Sequence, residues 1–202
     1  MEKRRKKKIV LMFALTLDGI IGYDDGLPWD VVRRKHAFPW QKQTFNMQFF
    51  RKVTEGSTVI LGRITADAIF KSLGGPLPNR ENIVITKNRD YRPTVDGRVL
   101  DDVKVGYSLE EGIGKASNNT IYICGGRKVY AKAEEQEVAT DIVVTLIHVK
   151  ILDDVGSSDS GKYVELPDSD LFSRFELVFS FKHPADFRNQ HDTTVAFYEL
   201  KK

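Results

Sequence analysis

The stretch Thr120-Ile121-Tyr122-Ile123-Cys124-Gly125-Gly126-Arg127-Lys128-Val129-Tyr130 is the part of the chain that decides the fold. Residues 120–124 form an apolar, β-branched run, which predicts a strand, and residues 127–136 have the spacing of a helix. A strand that passes through two glycines directly into a helix is typical of α/β proteins. The glycines let the backbone approach a bound phosphate, and the start of the following helix offers free N–H groups and a positive dipole end.

Strands and helices alternate in the same way over the first 150 residues. Strands are predicted at residues 9–17, 57–62, 82–86, 120–124 and 142–151, with a further strand starting near 99–100, and helices are predicted at 44–54, 65–70, 108–116 and 127–136. Residues 175–183 and 194–200 alternate in polarity, which predicts a hairpin. The predicted fold is therefore α/β, with a predominantly parallel central sheet, helices on both faces and a C-terminal antiparallel hairpin. Because ligands of such sheets bind beyond the carboxyl ends of the strands, we expect the loop after the first strand and the two glycine turns to converge on one cleft.

The composition is that of a globular domain. The chain has 202 residues, of which 41% are hydrophobic and 29% charged, enough to build a sizeable core. No apolar run approaches the roughly 18 residues of a membrane span. Cys124 is the only cysteine, so no internal disulfide can form and we expect a reducing compartment, the cytoplasm. The histidines have no metal-ligand spacing, and we expect no metal.

Six consecutive basic residues, 3–8, account for the net charge of +3. Without residues 1–8 the chain has 25 basic and 27 acidic side chains, a net charge of −2. We predict that residues 1–8 form a disordered arm and that residues 9–202 form a single domain. A nuclear address, or contact with nucleic acid through the arm alone, is the alternative interpretation of the basic run. We expect no membrane association and a monomer.

A second turn, Gly62-Arg63-Ile64-Thr65, has the same form as the diglycine turn. Two such turns in one sheet suit the pyrophosphate of a dinucleotide, whereas either one alone is equally consistent with a tight turn that binds nothing. The G-x-G-x-x-G fingerprint is absent from the sequence. Gly112-Ile113-Gly114 falls inside a helical stretch and lacks the third glycine, so a Rossmann site is not predicted.

Five segments occur in an order that points to one family. They are Leu17-Asp18-Gly19-Ile20-Ile21-Gly22 with Gly26-Leu27-Pro28-Trp29; Val59-Ile60-Leu61-Gly62-Arg63 with Thr65; residues 76–86 around Arg80; Ile123-Cys124-Gly125-Gly126 with Val129-Tyr130; and the tail from Phe179 through His191 to Glu199. Together they resemble the dihydrofolate reductase family from about residue 9 to the C-terminus. The resemblance implies an enzyme that reduces 7,8-dihydrofolate to tetrahydrofolate with NADPH, supporting one-carbon and thymidylate metabolism.

The resemblance also implies roles for individual residues. It places Trp29 over the pteridine with an ordered water, Leu27 over the nicotinamide, and Asn46 at the position of the catalytic acid. It assigns the substrate to Ala14, Met47, Phe50, Ile69, Leu77, Arg80, Cys124, Tyr130 and Thr145. It assigns the cofactor to Ala14, Ile21, Gly22, Gly62, Arg63, Thr65, Thr86, Lys87, Gly125, Gly126, Lys128, Val129 and Tyr130. Arg80 would take the glutamate α-carboxylate bidentately, and Arg63 with Lys87 would take the 2′-phosphate, which favours NADPH over NADH.

The sequence departs from the family pattern at the acid position. The family places a carboxylate on its first helix, and Asn46 stands there. An amide can hydrogen-bond a pteridine but cannot ionise, and acid–base assistance is typically worth about 10²–10⁴-fold in rate. An insertion of about residues 30–43 precedes this helix, and Asp30 or His36 could supply the missing group unless both are simply exposed loop residues.

Two other functions fit the same sequence. One is a reductase of another pteridine or pyrimidine on the same fold, against which Arg80 and the apolar residues Met47, Phe50 and Leu77 argue. The other is a non-catalytic folate- or NADPH-binding structural protein, which Asn46 and the basic arm favour.

Overall fold

The computed structural model describes residues 7–23, 26–29, 44–152, 163–167 and 170–202. The Cα positions divide the chain into two compact units. The first unit comprises Met1–Met12 and Thr54–Asp141, and the second comprises Phe13–Val53 and Ile142–Lys202. Strand β1 (Lys8–Thr16) contributes residues to both units.

The first unit is a parallel sheet with a helix after most of its strands. The strands are β3 (Thr58–Gly62), β4 (Glu81–Ile85), β7 (Lys104–Gly106) and β8 (Thr120–Ile123), and the helices are α2 (Arg63–Leu73), α3 (Leu109–Lys115) and α4 (Arg127–Glu135). The strand order is β1-β8-β3-β4-β7, and every neighbouring pair is parallel. A small hairpin of β5 (Thr94–Val95) and β6 (Arg98–Val99) lies between β4 and β7 in the chain. Val59, Ile60 and Leu61 are completely buried, as expected of a parallel strand covered on both faces.

Close glycine contacts bring α3 onto this sheet. A Cβ atom at Gly112 of α3 would lie 2.4 Å from Ile85 Cδ1, and one at Gly106 would lie 3.0 Å from Gly112 N. Of the two glycines in Gly112-Ile113-Gly114, Gly112 therefore allows α3 to pack closely against the sheet. Ser108 caps this helix by accepting a hydrogen bond from Glu111 N at 3.0 Å, in the manner of other helix N-termini.

The second unit combines an antiparallel hairpin with the first helix. Its elements are β2 (Ile20–Tyr23), α1 (Thr44–Thr54), β9 (Asp141–Ile147), β10 (Tyr163–Glu165), β11 (Phe175–His183) and β12 (Thr193–Leu200). The strand order is β11-β12-β9-β1, with β11 and β12 antiparallel, while β2 and β10 form a separate antiparallel pair. A short 3₁₀ helix, Leu171–Arg174, precedes β11.

The predicted fold class is confirmed: the chain is α/β, its sheet is mostly parallel, and it ends in an antiparallel hairpin.

Helices α1, α3 and α4 lie within one or two residues of their predicted bounds, whereas α2 is longer, at Arg63–Leu73. The fourth strand was predicted near residues 99–100, but those residues belong to or follow the β6 hairpin, and β7 is Lys104–Gly106. Three residues are too few to carry a periodic signal.

The boundary of the basic arm needs a correction. The arm was predicted to end at residue 8, but Lys8 begins β1 and pairs with Asp141 at 2.7 Å. Lys7 Nζ donates to Ile113 O at 2.9 Å and to Ala116 O at 2.7 Å, at the end of α3. The carbonyls at a helix C-terminus attract a cation, which holds Lys7, whereas Lys8 is held by its ion pair with Asp141 and by its place in β1. Residues 1–6, the insertion 30–43 and residues 153–162 lie outside the described residues, and the single-domain organisation stays a prediction.

Candidate functional site: two glycine turns and the Asn46 helix

The two glycine turns of the first unit contact each other directly. Gly62 N donates to Gly125 O at 2.6 Å. A Cβ atom at Gly62 would lie 3.0 Å from Val129 Cγ2, and one at Gly126 would lie 2.8 Å from Thr65 Oγ1. Gly125 also has φ +132°, which side-chain-bearing residues rarely adopt. The sequence therefore needs glycine at these positions, and it brings Gly62, Thr65, Gly125, Gly126 and Val129 together as predicted.

The helices that follow the two turns begin without a side-chain cap. Gly62 is the N-cap of α2 and Gly126 the N-cap of α4, and neither start has a side-chain cap hydrogen bond. The first N–H groups of a helix lack intrahelical acceptors, and together with the dipole they attract anions. Exposed Arg63, Arg127 and Lys128 add positive charge at the same two ends. This donor set fits a pyrophosphate, whose oxygens would accept from the backbone.

The residues predicted to select NADPH lie at the ends of neighbouring strands. Gly62 of β3 lies opposite Ile85 of β4. The residues that follow these strands, Arg63 after β3 and Thr86-Lys87 after β4, therefore lie at the same end of the sheet. Thr86 is buried, and its hydroxyl accepts from Asn88 N at 3.1 Å, whereas Lys87 is exposed. Two basic side chains at this edge are the charges that a 2′-phosphate requires.

The sequence analysis did not identify Asp67 as the acidic partner of Arg63. Arg63 Nη1 lies 3.4 Å from Asp67 Oδ2, and Tyr91 Oη donates to Asp67 Oδ1 at 2.6 Å. Burial raises the pKa of Tyr91, and the hydrogen bond to the Asp67 carboxylate raises it further. The i, i+4 spacing of Arg63 and Asp67 on a helix was the available signal.

The loop that carries Leu77 and Arg80 is fixed by a buried asparagine. Asn82 is 4% exposed; its Oδ1 accepts from Leu77 N at 3.1 Å, and its Nδ2 donates to Leu77 O at 2.8 Å and Arg80 O at 3.0 Å. Arg80 Nε donates to Thr54 Oγ1 at 2.8 Å, and its Nη1 donates to Pro78 O. Leu77 is buried, whereas Ile69 on α2 is only half-buried. Asn82 and Thr54 are supporting residues that the sequence analysis did not identify.

Two further predicted residues follow β8. Tyr130 is buried, and its hydroxyl donates to Met12 O at 2.9 Å. Burial raises the pKa of Tyr130 and of the Cys124 thiol, so both groups are neutral at physiological pH.

Helix α1 of the second unit carries Asn46, Met47 and Phe50. Asn46 is 8% exposed and Phe50 is half-buried, and the two lie four residues apart on one face. Met47 is 52% exposed. On the other side, Phe45 stacks on His183 with ring centres 4.2 Å apart, and Phe49 contacts the rings of Phe181 and Phe197. The C-terminal hairpin therefore fixes the helix through its aromatic face.

The predicted loop residues of the second unit lie around a buried tryptophan. Trp29 is 3% exposed and packs with Ile147, Val149 and Ile151, and Ala14 and Leu27 pack against that cluster. Ile21 and Gly22 lie in β2, where a Cβ atom at Gly22 would lie 3.3 Å from Val164 Cβ. Thr145 is buried in β9. Trp29, Leu27 and Ala14 therefore belong to one apolar cluster, and their roles toward the ligands stay predictions.

Asp18 fastens the end of β1 to the segment after β9. Its Oδ2 accepts from Ile151 N at 2.7 Å and Leu152 N at 2.8 Å, and its Oδ1 accepts from Thr16 Oγ1. Burial alone would raise the pKa of Asp18, but the hydrogen bonds from Leu152, Thr16 and Ile151 lower it below its usual value. Asp18 thereby holds the turn between β1 and β2 against the segment that follows β9.

Some chemistry is not supported by the described part of the chain. Among those residues there is no group of three or more His, Cys, Asp and Glu side chains placed to hold a metal ion. None of the helices in the described ranges reaches the length and apolarity that crossing a bilayer requires.

Asp30 and His36, the suggested substitutes for the missing acid, lie outside the described residues. The predicted convergence of the loops on one cleft, and the individual roles of the site residues, stay predictions.

An α/β sheet with two touching glycine turns and uncapped helix starts is the arrangement of a protein that binds a nucleotide through its phosphates. A family model described as dihydrofolate reductase matches residues 8–200, so the chain belongs to the dihydrofolate reductase family. Members of this family are NADPH-dependent oxidoreductases.

Several relatives show how far the similarity extends. Dihydrofolate reductase of Bacillus subtilis is 28% identical over 196 residues, covering 96% of this chain and 95% of that protein. A bifunctional dihydrofolate reductase-thymidylate synthase of Paramecium tetraurelia is 31% identical over 152 residues, covering 74% of this chain but only 28% of that protein. A solved structure of dihydrofolate reductase from Enterococcus faecalis, in complex with NADP(H) and RAB-propyl, has a TM-score of 0.72 at 25% identity and 98% coverage of both chains.

Proposed function

We propose that this chain reduces 7,8-dihydrofolate to tetrahydrofolate with NADPH and thereby supports one-carbon and thymidylate metabolism. The observation that carries the proposal is the family match over residues 8–200, supported by the 2.6 Å contact between the two glycine turns. The Bacillus subtilis relative, of nearly the same length, is itself named dihydrofolate reductase, and the similar Enterococcus structure contains NADP(H).

NADPH, when bound, supplies the hydride. The N-termini of α2 and α4 bind its pyrophosphate, because their N–H groups lack side-chain caps. Thr65 lies beside Gly125 and Gly126 of the diglycine turn and contributes a hydroxyl to the same group. Arg63 and Lys87 bind the 2′-phosphate, so NADPH is preferred over NADH. Ala14, through its backbone, and Ile21 and Gly22 contact the cofactor, and Leu27 closes over the nicotinamide.

The substrate is held by residues of a different kind. Arg80 binds the glutamate α-carboxylate, since a guanidinium fork matches a carboxylate bidentately. Its orientation is already constrained by the hydrogen bond to Thr54, which lowers the cost of binding. Met47, Phe50, Ile69 and Leu77 provide apolar contacts to the pteridine and benzoyl groups, with Cys124, Tyr130 and Thr145 near the reacting rings and Trp29 orienting water.

Asn46 binds the pteridine without ionising. Its amide has one acceptor and two donors, which can pair with the amino group and ring nitrogen of the substrate. Protonation of the pteridine N5 then depends on dihydrofolate that is already protonated in solution. We therefore propose a reductase that is slow at neutral pH and faster as the pH falls.

The decisive experiment is oxidation of NADPH by the purified chain with dihydrofolate, followed spectrophotometrically from about pH 5 to pH 9. The proposal predicts turnover that rises steadily toward low pH, and tetrahydrofolate as the product. No oxidation of NADPH with dihydrofolate at any pH would refute it.

Asn46 favours a second function, a protein that binds folate and NADPH without catalysis. This function predicts tight binding of both ligands and no NADPH oxidation, so the oxidation assay distinguishes the two functions. A reductase of another pteridine or pyrimidine would oxidise NADPH with that compound and not with dihydrofolate.

We further propose that the chain works as a monomer in the cytoplasm and has no part in membrane or nucleic-acid binding. The single free thiol, Cys124, agrees with a reducing compartment. Sedimentation of the full chain tests the monomer, and localisation with and without residues 1–8 tests whether the basic run is a nuclear address.

A further inference from the structure

The loop between β11 and β12 contacts the start of the helix that carries Asn46. Within this loop Asn189 is 3% exposed. Its Oδ1 accepts a hydrogen bond from Phe45 N at 2.7 Å and lies 3.4 Å from the Thr44 hydroxyl. Asn189 thus caps helix α1 from a loop about 145 residues further along the chain.

Asn189 is itself held in one orientation. Its Nδ2 donates to Asp186 Oδ1 at 2.8 Å and lies 3.2 Å from His183 Nε2. The same Asp186 oxygen accepts from the backbone N–H groups of Arg188 at 2.7 Å and Asn189 at 2.8 Å. Because both ends of the amide have partners, the oxygen that faces Phe45 is fixed before any ligand binds.

The first turn of α1 needs such a cap. Its first N–H groups have no intrahelical acceptors, and no acidic residue lies in that turn to compensate. His183, at the start of the same loop, stacks flat on Phe45 with an interplanar angle of 9°. Asn46 follows Phe45 directly and is buried, so the direction of its amide depends on how this turn is held.

We propose that Asn189 is a positioning residue for Asn46. By capping Phe45 it holds the first turn of α1 in the helical state, and it thereby keeps the Asn46 amide pointed at the pteridine. This inference rests on the proposed function only in giving Asn46 a role in substrate binding. Without the cap, the substrate must pay for ordering the turn, and the apparent affinity falls by the fraction of molecules in which the turn is formed.

The test replaces the cap and measures the substrate and the cofactor separately. With Asn189→Ala we expect the KM for dihydrofolate to rise about five- to tenfold, the change that corresponds to loss of one helix cap. The dissociation constant of NADPH should stay within about twofold of the wild type, since no residue of the glycine turns takes part in this cap. The matched control is Asn119→Ala, which removes an exposed asparagine from the turn before β8 and should change neither constant.

A double variant provides the rescue. Asn189→Asp together with Asp186→Ser keeps an acceptor at each place where one is used. The introduced carboxylate accepts from Phe45 N, and the introduced hydroxyl accepts from the backbone N–H groups of residues 188 and 189 and donates its own proton to the carboxylate. We expect this variant to recover most of the lost dihydrofolate affinity. Hydrogen exchange of the Phe45 amide, measured in all variants, reports the cap independently of any ligand: it should be fast in Asn189→Ala and slow again in the double variant.

The outcomes separate this inference from the proposed function. Fast Phe45 exchange with an unchanged KM for dihydrofolate would overturn the positioning role and leave the reductase intact. Parallel losses of dihydrofolate and NADPH affinity with a lowered melting temperature would show general destabilisation and would also overturn it. A wild-type chain that neither binds nor reduces dihydrofolate refutes the proposed function, whatever the variants do.

Discussion

The glycine turns of the first unit and helix α1 of the second unit build their proposed sites in different ways. The turns use backbone: Gly62 and Gly125 touch through main-chain atoms, and the N–H groups of α2 and α4 are the proposed ligands. Helix α1 uses side chains, and its first turn carries an amide, Asn46, at the position where the resemblance predicts a carboxylate. A backbone site tolerates most changes except the addition of a Cβ atom, whereas a side-chain site changes its chemistry with a single substitution.

This difference agrees with the prediction that Asn46, and not the glycine turns, departs from the family pattern. The diglycine turn is constrained by φ +132° at Gly125 and by Thr65, 2.8 Å from a Cβ atom at Gly126. No comparable steric constraint in the described structure holds the identity of residue 46, because an amide and a carboxylate have nearly the same shape. Cofactor binding and catalysis can therefore change independently in this chain.

The largest expected effect comes from Arg80, on the side-chain half of the comparison. Replacing Arg80 by Leu removes a charge-assisted hydrogen bond to the substrate carboxylate, and we expect dihydrofolate binding to weaken by about 1.5–3 kcal/mol. NADPH binding should remain nearly intact. Equilibrium titration with each ligand measures both values.

The matched control for Arg80 is Arg92→Leu. Arg92 is exposed and donates to Tyr91 O at 3.0 Å, so its loss removes the same charge without touching the proposed carboxylate site. Equal dihydrofolate affinity in the wild type and Arg80→Leu would show that the substrate has no carboxylate at this place.

The sequence predicted the backbone half of the site better than the side-chain half. Glycines after apolar strands are a direct signal, because only a few backbone arrangements require them. The supports of the side chains gave no such signal. Asn82, Asp67 and Asn189 act through hydrogen bonds to residues 5, 4 and 144 positions away in the chain, and only the Arg63–Asp67 pair has a spacing that a sequence pattern shows. Strand β7 was misplaced for a similar reason, since three residues fix no periodicity.

The second prediction tests the steric constraint on the backbone site. Gly126→Ala places a methyl group against Thr65 Oγ1, and overpacking of this kind costs about 1–3 kcal/mol. We expect NADPH affinity to fall by about 5- to 150-fold, while dihydrofolate affinity changes little. Fluorescence titration with NADPH measures the effect.

Two variants make this prediction specific. Gly114→Ala on α3 meets no atom within 4 Å and should leave NADPH binding unchanged. Thr65→Ala by itself removes the proposed hydroxyl contact and should weaken NADPH binding, but adding Gly126→Ala to it should cost less affinity than in the wild type, because the clashing hydroxyl is gone. If Gly126→Ala binds NADPH like the wild type, the close approach of the two turns does not shape the cofactor site.

The third prediction concerns Asn46, where the side-chain half departs from its family. Asn46→Asp restores an ionisable group beside the pteridine, and we expect the rate of dihydrofolate reduction at neutral pH to rise by about tenfold or more. The wild-type rate should increase continuously toward low pH, whereas the variant should reach a plateau set by its own carboxyl group. Single-turnover measurements across pH distinguish the two profiles. A wild type that is already fast at pH 7, and is not improved by the variant, would direct attention to Asp30 and His36.

The smallest effect is expected from a side-chain network at the opposite ends of the same strands that carry the glycine turns. Glu81, at the start of β4, accepts from Thr58, Lys104 and the Ser117 backbone N–H. Burial alone would raise the pKa of Glu81, but the hydrogen bonds from Lys104, Thr58 and Ser117 lower it to about 2. The folded state therefore favours the ionised form, and this stabilisation is complete above pH 4.5 and disappears as the pH falls toward 2. For a partly exposed cluster we expect this stabilisation to be about 1–2 kcal/mol.

Glu81→Gln should lower the free energy of unfolding by this amount at pH 7 and by almost nothing near pH 2. The control is Glu110→Gln, which changes an exposed glutamate of α3 and should have little effect at either pH. Urea unfolding at the two pH values measures the difference. An equal loss at both pH values would mean that Glu81 acts through its shape rather than its charge. The end of the sheet around Glu81 would then not depend on charge, and it would not differ in this respect from the end with the glycine turns.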